Sequence, residues 1–396
     1  MMNALTIFKQ FFLLGWISFG GPAAHIGYFR TTFVTKLSWL SDTEYAQLVA
    51  LSQFLPGPGS SQVGFAVGYH RGGLIGALAA FTGFTLPSVL LMLALAVLSS
   101  SLTDNALFQG VIHGLKLLAV VVVADATLGM ARSFCQRKLT AAIAVICASV
   151  MLTIPGVWSQ IAVLLAAAMV GLIWLKPHPV DLASDSTERV GNRLAKTAAK
   201  QVHFSLILFV VLLTGLPLLA PFSPSVQLFS DFYQAGSLVF GGGHVVLPLL
   251  QNIVGDQLSS DNFITGYAAA QAVPGPMFTL ATYLGYQLLP PVPITGALLA
   301  TAGIFLPGFL LLLGVLKNWQ VLAAKPVLNG AVSGVNAAVV GLLLSALYQP
   351  VFITAVNNSA DVALMVCGFF LLRTLKLPIV GLVVLAIMTG ILQTQL

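Results

Sequence analysis

Two stretches of this sequence place a Pro-Gly-Pro turn and small polar residues inside apolar surroundings. The turns span 56–58 and 274–276. Proline lacks a backbone donor and clashes with the preceding helical turn, so one helix is predicted to end before each turn and another to begin after it. The residues there that could contact a ligand are Pro56, Gly57, Pro58, Gly59, Ser60, Ser61, Gln62, Gln271, Pro274, Gly275 and Pro276.

A helix that begins inside a membrane can bind an anion without help from a lysine. Its first backbone N–H groups are unpaired, and its N-terminus carries roughly half a positive charge. Broken backbone at this depth usually lines a cavity. Glycine and proline in membrane helices also permit kinks and close packing, which is the structural interpretation. Because the break recurs in both halves, we favour the functional interpretation.

A second pair of breaks precedes the Pro-Gly-Pro turns. In the first half it comprises Gly20, Gly21 and Pro22, with His25 one turn into the next helix, and in the second half it comprises Gly241, Gly242, Gly243 and His244. Both histidines could titrate near neutral pH, although each alone is typical of a hydrogen-bonded packing residue. Gly243 replaces Pro22 and His244 is out of register with His25, so we expect an asymmetric site.

Lys116 lies well inside an apolar stretch that begins near Ala106. A charge at that depth is costly and suggests a functional site, here an anion ligand or part of a proton relay. The structural alternative is a lysine that reaches the interface or pairs with a carboxylate, either Asp125 or one on a neighbouring helix. His113 lies one turn earlier on the same face, and Asn336 is the counterpart of Lys116 in the second half.

The composition requires a membrane. Hydrophobic residues make up 58% of the chain and charged residues only 7%, too few to cover a soluble globule. The apolar runs have the length of membrane helices and lack the alternation of outer-membrane barrel strands. Three scattered cysteines predict no disulfide framework, metal site or cofactor. The net charge of +6 fits basic cytoplasmic connections and does not indicate a nucleic-acid partner.

We therefore expect an all-α polytopic membrane protein. It would contain two inverted, antiparallel repeats with broken or re-entrant helices, and one extra span between them. The predicted divisions are a first repeat at 1–175, a charged cytoplasmic linker at 176–202, the extra span at 203–222 and a second repeat at 223–396.

The distribution of basic residues predicts the orientation. With the N-terminus in the cytoplasm and the C-terminus outside it, thirteen basic residues fall in cytoplasmic connections, and only Arg30 and Lys36 fall outside. Each broken element could cross the membrane fully, which gives thirteen spans, or turn back as a re-entrant hairpin, which gives nine. Charge slightly favours hairpins because they return both exceptions to the cytoplasmic side, but the sequence leaves the choice open.

The motifs Phe19-Gly-Gly-Pro-Ala-Ala-His25 and Phe54-Leu-Pro-Gly-Pro58 with Gln62, together with their second-half relatives, resemble the chromate ion transporter family in its long, two-domain form. The resemblance covers nearly the whole chain. It implies export of chromate from the cytoplasm across the bacterial plasma (inner) membrane, driven by the proton-motive force, and resistance to chromate. The motif positions that carry over are Gly20, Gly21, Pro22, His25, Pro56, Gly57, Pro58, Gln62, Gly241, Gly242, Gly243, Gln271, Pro274, Gly275 and Pro276.

The residues support other functions beside chromate transport. A transporter of sulfate or another anion, an anion channel, or a membrane scaffold would share these breaks. An enzyme is not expected, because no nucleophile and base pair is visible and no ATP-binding or hydrolase motif occurs. The expected partners are an oxyanion, protons and the lipid bilayer. The physiological anion, the coupling ion and the association of two chains into a homodimer are left open.

Overall fold

The computed structural model describes residues 3–102, 105–175, 195–240, 243–254, 257–316 and 326–394. Most of the predicted linker, and Gly241 and Gly242 of the predicted site, lie outside these ranges. Every regular element within the ranges is a helix. The helices of the first half are α1 (Ala4–Ile17), α2 (Gly21–Phe29) with a π-helical extension (Arg30–Lys36), α3 (Asp42–Phe54), α4 (Gly59–Ser101), α5 (Ala106–Phe134), α6 (Lys138–Thr153) and α7 (Val157–Trp174).

The extra helix α8 (Ala195–Leu219) separates the two halves. The helices that follow are α9 (Pro224–Leu238), α10 (Val246–Val254), α11 (Ser260–Ala272), α12 (Leu280–Leu288), α13 (Pro293–Val315), α14 (Pro326–Ala346), α15 (Ser359–Arg373) and α16 (Ile379–Gln393). Short helical turns precede α10 and α12 and follow α8 and α14.

The protein is an all-α polytopic membrane protein. Within the described residues, six helices are long and apolar enough to cross a membrane, and several apolar helices are shorter. Large apolar side chains also cover the outer surface. Trp158 and Phe222, for example, are more than four-fifths exposed, as expected for side chains that face lipid and not water.

The broken elements of the first half fold back on themselves. In α4, Gly72 and Gly73 have non-helical backbone angles, so the segment from Gly59 to Arg71 is a separate arm after the first Pro-Gly-Pro turn. His70 at the end of this arm lies 3.9 Å from Glu44 at the start of α3, so α3 and the arm run side by side in opposite directions. Each arm is about 20 Å long at 1.5 Å per residue, too short to cross a bilayer.

The break between α1 and α2, which precedes the first Pro-Gly-Pro turn, also forms a hairpin. The ring of Phe11 on α1 stacks on that of Phe33 beyond α2, with 4.6 Å between centroids. Arg30 near the end of α2 binds Asp42 at the start of α3, at 2.8 Å. In the first half, both broken elements therefore form hairpins whose ends lie at one end of the molecule. That they are re-entrant in a membrane stays a prediction.

The two halves make matching contacts with each other. The amide of Gly57 donates to the carbonyl of Val239 at 2.7 Å, and the amide of Gly275 donates to that of Ser18 at 2.8 Å. Each Pro-Gly-Pro turn therefore binds the break of the opposite half. Reciprocal contacts of this kind are expected of two halves related by a two-fold axis.

The halves also exchange helices. On α5, Gly110 and Gly114 pack against the backbone of α16 at Gly390 and Ala386. The corresponding glycines of α14, Gly330 and Gly334, pack against α7 at Gly171 and Ala167. In each case small residues allow the two backbones to approach closely. Helices α5 and α14 thus each pack closely against the last helix of the other half.

Helices α5 and α14 run in opposite directions. Ser133 near the end of α5 and Ser333 near the start of α14 line one cavity. At the other end of the molecule, His113 near the start of α5 and Thr354 beyond α14 line another. Opposite directions for matching helices are what inverted repeats require. Inversion across a membrane remains a prediction, which this arrangement supports.

The exchange of helices gives a stability prediction at Gly334. A Cβ atom there would lie 2.1 Å from the carbonyl oxygen of Ala167, so Gly334→Leu must push α7 and α14 apart. We expect a loss of about 3 kcal/mol, the upper end for overpacking a core. The measurement is the fraction of detergent-purified protein that stays monodisperse after heating. Gly129→Leu is the control, because no atom lies within 4 Å of a Cβ there; equal losses would contradict the prediction.

Candidate functional site

A small cavity of about 30 Å³ lies where the tips of the broken elements meet. Its walls come from the α1–α2 break, from the turn before α10, from the second Pro-Gly-Pro turn with its flanking residues, and from α5 and α16. We call it the central cavity. It is lined by Gly20, Gly21, Val122, His244, Ala270, Gln271, Val273, Gly275, Met277 and Ile379.

Glycines give the central cavity its backbone wall. Gly20 and Gly21 have φ angles of +98° and +75°, and Gly275 has a φ of +97°. Only glycine adopts such angles without a steric cost. Pro22, the second residue of α2, lies in the first turn of the helix, where its missing donor costs nothing. Gly20 and Gly21 at the N-terminal end of α2 line the cavity, and a helix start leaves backbone donors without intrahelical partners.

His244 adds a side-chain donor to the central cavity. Its Nδ1 lies 3.2 Å from the Tyr267 hydroxyl and 3.4 Å from Nε2 of Gln271. With the amide nitrogen of Gln271 assigned to the side facing Nδ1, Nδ1 accepts and the proton of the neutral ring is on Nε2. A Cβ on Gly21 would lie 3.9 Å from this Nε2. The Nε2–H group therefore points towards the α2 start.

In the first half, the predicted ligands bind the protein itself. His25 is fully buried; its Nε2 donates to the carbonyl of Ser18, and its Nδ1 accepts from the hydroxyl of Ser60, both at 3.2 Å. Nε2 of Gln62 donates to the carbonyls of Pro56 at 2.9 Å and of Gly308 at 3.0 Å. These groups fasten the start of α4 to both breaks, and none of them lines the central cavity.

The other predicted residues shape the turns. The ring of Pro58 lies against Gly308, and Pro22 lies against Gly243. The carbonyl of Pro274 accepts from Ser88 at 2.6 Å. Three further turn residues do not line the central cavity either. The carbonyl of Pro276 accepts a hydrogen bond from Thr279, and Gly59 adjoins Ser52. The hydroxyl of Ser61 is buried without a protein partner.

Lys116 lies away from the central cavity, in a larger cavity of about 730 Å³ at one end of the molecule. We call this larger cavity the vestibule. Lys116 is 5% exposed and forms an ion pair with Asp261 of α11. Asp125, the other carboxylate that the sequence offered, binds Arg373 at 2.6 Å instead. His113 also lines the vestibule and binds Asp361 at 2.9 Å.

Sequence reasoning missed several lining residues. Val122, Ala270 and Ile379 are apolar, and nothing in their type separates a cavity wall from ordinary packing. Asp261 carried a signal, because an acidic residue at the start of a predicted half-helix is a candidate partner for a buried lysine. Within the described residues, no three His, Cys, Asp or Glu side chains group as metal ligands would.

Comparison with known proteins gives a consistent result. The sequence pattern of the family described as "Chromate transporter" matches residues 5–172 and 226–391. An uncharacterized transporter of Methanocaldococcus jannaschii is 26% identical over 98% of this chain and 94% of its own length. Proteins named "Chromate transport protein" from Pseudomonas aeruginosa and Cupriavidus metallidurans are 26% and 27% identical, over 86% and 85% of this chain and 80% of their own lengths. No solved structure matches the chain.

Proposed function

This chain belongs to the chromate transporter family, and we propose that it is a secondary transporter that exports chromate from the cytoplasm across the inner membrane. Membership supports chromate transport as the activity. Our proposal adds the outward direction, the proton-motive force as the energy source, and chromate resistance as the result for the cell. It also adds a cytoplasmic N-terminus and two repeats inverted in the membrane.

The chemistry of the central cavity carries this proposal. The groups that face it are a helix N-terminus, the Gly275 turn, the amide side chain of Gln271 and the Nε2–H of His244. None of its lining residues is acidic. Asp125 interacts electrostatically with His244 but is itself paired with Arg373. Donors in a lining without carboxylates suit an oxyanion, whose desolvation cost they offset.

The size of the central cavity implies movement. Its volume of about 30 Å³ is close to that of one water molecule, so a tetrahedral oxyanion needs the hairpin tips to separate. The hydrogen bonds from Gly57 to Val239 and from Gly275 to Ser18 hold these tips together. Opening one pair while the other stays closed would expose the cavity to one side at a time, as alternating access requires. The closed path favours a transporter over an open channel.

The hairpins support the proposed orientation. They bring Arg30 and Lys36 back to the end of the molecule that holds Asp42 and Glu44 at the start of α3. Both residues then join the cytoplasmic group, and the charge bias has no exceptions. A dianion that leaves a negative interior gains roughly 2.3 kcal/mol per charge for each 100 mV, so outward movement is electrically downhill.

Flux measurements in vesicles test the proposal. Purified protein in liposomes should move chromate with saturable kinetics, respond to an imposed pH gradient, and be inhibited by sulfate. A conductance that does not saturate would favour an anion channel. Sulfate flux without chromate flux would reassign the substrate, and no flux of either anion would reject the transporter. Empty liposomes are the control for leakage.

A further inference from the structure

The vestibule contains an ion pair with unequal surroundings. The side chain of Lys116 is 6% exposed, whereas that of its partner Asp261 is 62% exposed. The ammonium of Lys116 is therefore buried, whereas water already reaches the carboxylate of Asp261. Moving Asp261 aside transfers a carboxylate that is already solvated, but it leaves the buried ammonium unpaired unless another anion takes its place. The pair can open at its Asp261 side.

The remaining groups of the vestibule suit an anion. The other carboxylate nearby, Asp361, is fully buried and accepts from His113, from Gln393 and from the amide of Asn357. Its oxygens are therefore already hydrogen-bonded within the protein. The N-terminus of α15 lines the same cavity at Ser359 and Ala360, and it adds the positive end of a helix dipole.

Helices α5 and α11 connect the vestibule with the central cavity. On α5, Lys116 lines the vestibule and Val122 lines the central cavity, about 9 Å further along the helix. On α11, Asp261 at the start binds Lys116, while Ala270 and Gln271 at the end line the central cavity. The ion pair therefore fixes α11 at the end opposite to its ligand-facing residues.

We propose that the vestibule is a second oxyanion site, in which a divalent tetrahedral anion displaces Asp261 and binds Lys116. The carboxylate of Asp261 occupies the position of the anion while the site is empty. Displacement releases the start of α11 and so favours movement of the hairpin that carries Gln271 and Gly275. The inference rests on the proposed function, since it assumes that the transported oxyanion passes through this end of the molecule.

The proposed site exists at one end of the molecule only, because the second repeat has no lysine that corresponds to Lys116. The counterpart of Lys116 is Asn336, which is 7% exposed and whose Oδ1 has no hydrogen-bond partner. The cavity at the opposite end, near Ser133 and Ser333, therefore lacks an equivalent buried cation on α14. Replacing Lys116 by asparagine installs the residue that the other repeat already accommodates at the matching position.

Calorimetric titration of the full-length, detergent-purified protein with sodium sulfate tests the site. In Asp261→Asn the internal competitor is gone, and we expect sulfate to bind about tenfold more tightly, equivalent to about 1.4 kcal/mol. Asp42→Asn is the matched control: Asp42 also lies at the start of a hairpin helix, is 65% exposed and binds a cation, but that cation, Arg30, is 60% exposed. We expect its sulfate affinity to equal that of the wild type.

Lys116→Asn supplies the complementary measurement. We expect it to bind sulfate at least about tenfold more weakly than the wild type, and Lys116→Asn with Asp261→Asn to bind as weakly. The double variant leaves no unpaired charge, so weak binding by a monodisperse double variant reports the site and not misfolding. Sodium chloride should displace little sulfate in any variant.

Two results would overturn the inference. One is an Asp261→Asn variant that binds sulfate no better than Asp42→Asn, and the other is a double variant that binds as tightly as Asp261→Asn. Either result would leave the proposed function unaffected if liposomes that contain the wild-type protein transport chromate. Conversely, the variants could bind sulfate with the expected affinities while liposomes show no chromate or sulfate flux. That outcome would support the anion site and reject the transporter hypothesis.

Discussion

Replacing Gly57 by leucine is expected to abolish transport. The residue has a φ of +121°, and a Cβ there would lie 2.9 Å from Cα of Gly308 and 3.0 Å from Nε2 of Gln62. A side chain must therefore push the two halves apart at their point of contact and break the Gly57–Val239 hydrogen bond. Backbone strain adds about 1–3 kcal/mol. The measurement is the initial rate of chromate uptake or release by liposomes, normalised to inserted protein.

Two further variants calibrate this result. Gly57→Ala keeps the backbone strain but adds only one methyl group. We expect the rate of chromate transport to fall by about tenfold or more. Gly59→Ala, two residues away, places a Cβ 3.4 Å from its nearest neighbour, the carbonyl oxygen of Ser52, and should behave like the wild type. If Gly57→Leu transports normally, the tips of the hairpins do not control the pathway, and the central cavity loses its proposed role.

Replacing Gln271 by leucine is expected to lower chromate transport by about 10- to 100-fold without a loss of folded protein. The amide of Gln271 lines the central cavity and donates to Nδ1 of His244, which places the ring proton on Nε2. Leucine removes both the donor and this control of the tautomer. Lost hydrogen bonds to a charged group typically cost about 1.5–3 kcal/mol, which corresponds to the expected loss of rate.

The first half offers a matched control for Gln271. Gln53 occupies the corresponding position before the first Pro-Gly-Pro turn, but it is exposed and does not line the central cavity. Gln53→Leu should therefore retain transport. Equal losses in the two variants would indicate a general effect of leucine at this turn, and equal retention would remove Gln271 from the site.

Much of the fold could be predicted from the sequence because apolar length and helix breakers are local signals. The Pro-Gly-Pro turns and the Gly20 and Gly243 breaks needed no tertiary information. The stretches at 15–22 and 236–243 also align by residue type. Their first glycines make matching contacts in space, since Gly15 packs on the carbonyl of Phe84, and Gly236 on that of Ile304.

The hairpins could not be predicted from the same signals. Whether an arm continues or turns back depends on long-range contacts, such as that between Glu44 and His70. The positions of only two basic residues, Arg30 and Lys36, distinguished hairpins from full crossings in the charge count. The partner of Lys116 was undecided for the same reason, because Asp261 is 145 residues away along the chain and no local pattern joins the two.

The candidate site was predicted in part. Gly20, Gly21, His244, Gln271 and Gly275 meet at the central cavity, as expected of breaks from both halves. Gln62 and Ser60 have the same donor chemistry, but their hydrogen bonds go to Gly308 and His25. Residue type reveals that a donor is present. Only the packing of the two halves decides whether that donor binds a ligand or the protein.

The exchange of helices between the halves has a consequence for biogenesis. Gly110 and Gly114 of α5 pack against α16, which the ribosome makes long after α5 has left the exit tunnel. Until then the glycine face of α5 is open to lipid or to the insertion machinery. A chain without α16 would keep this face uncovered, so the close packing of α5 can be completed only after the last helix has been made.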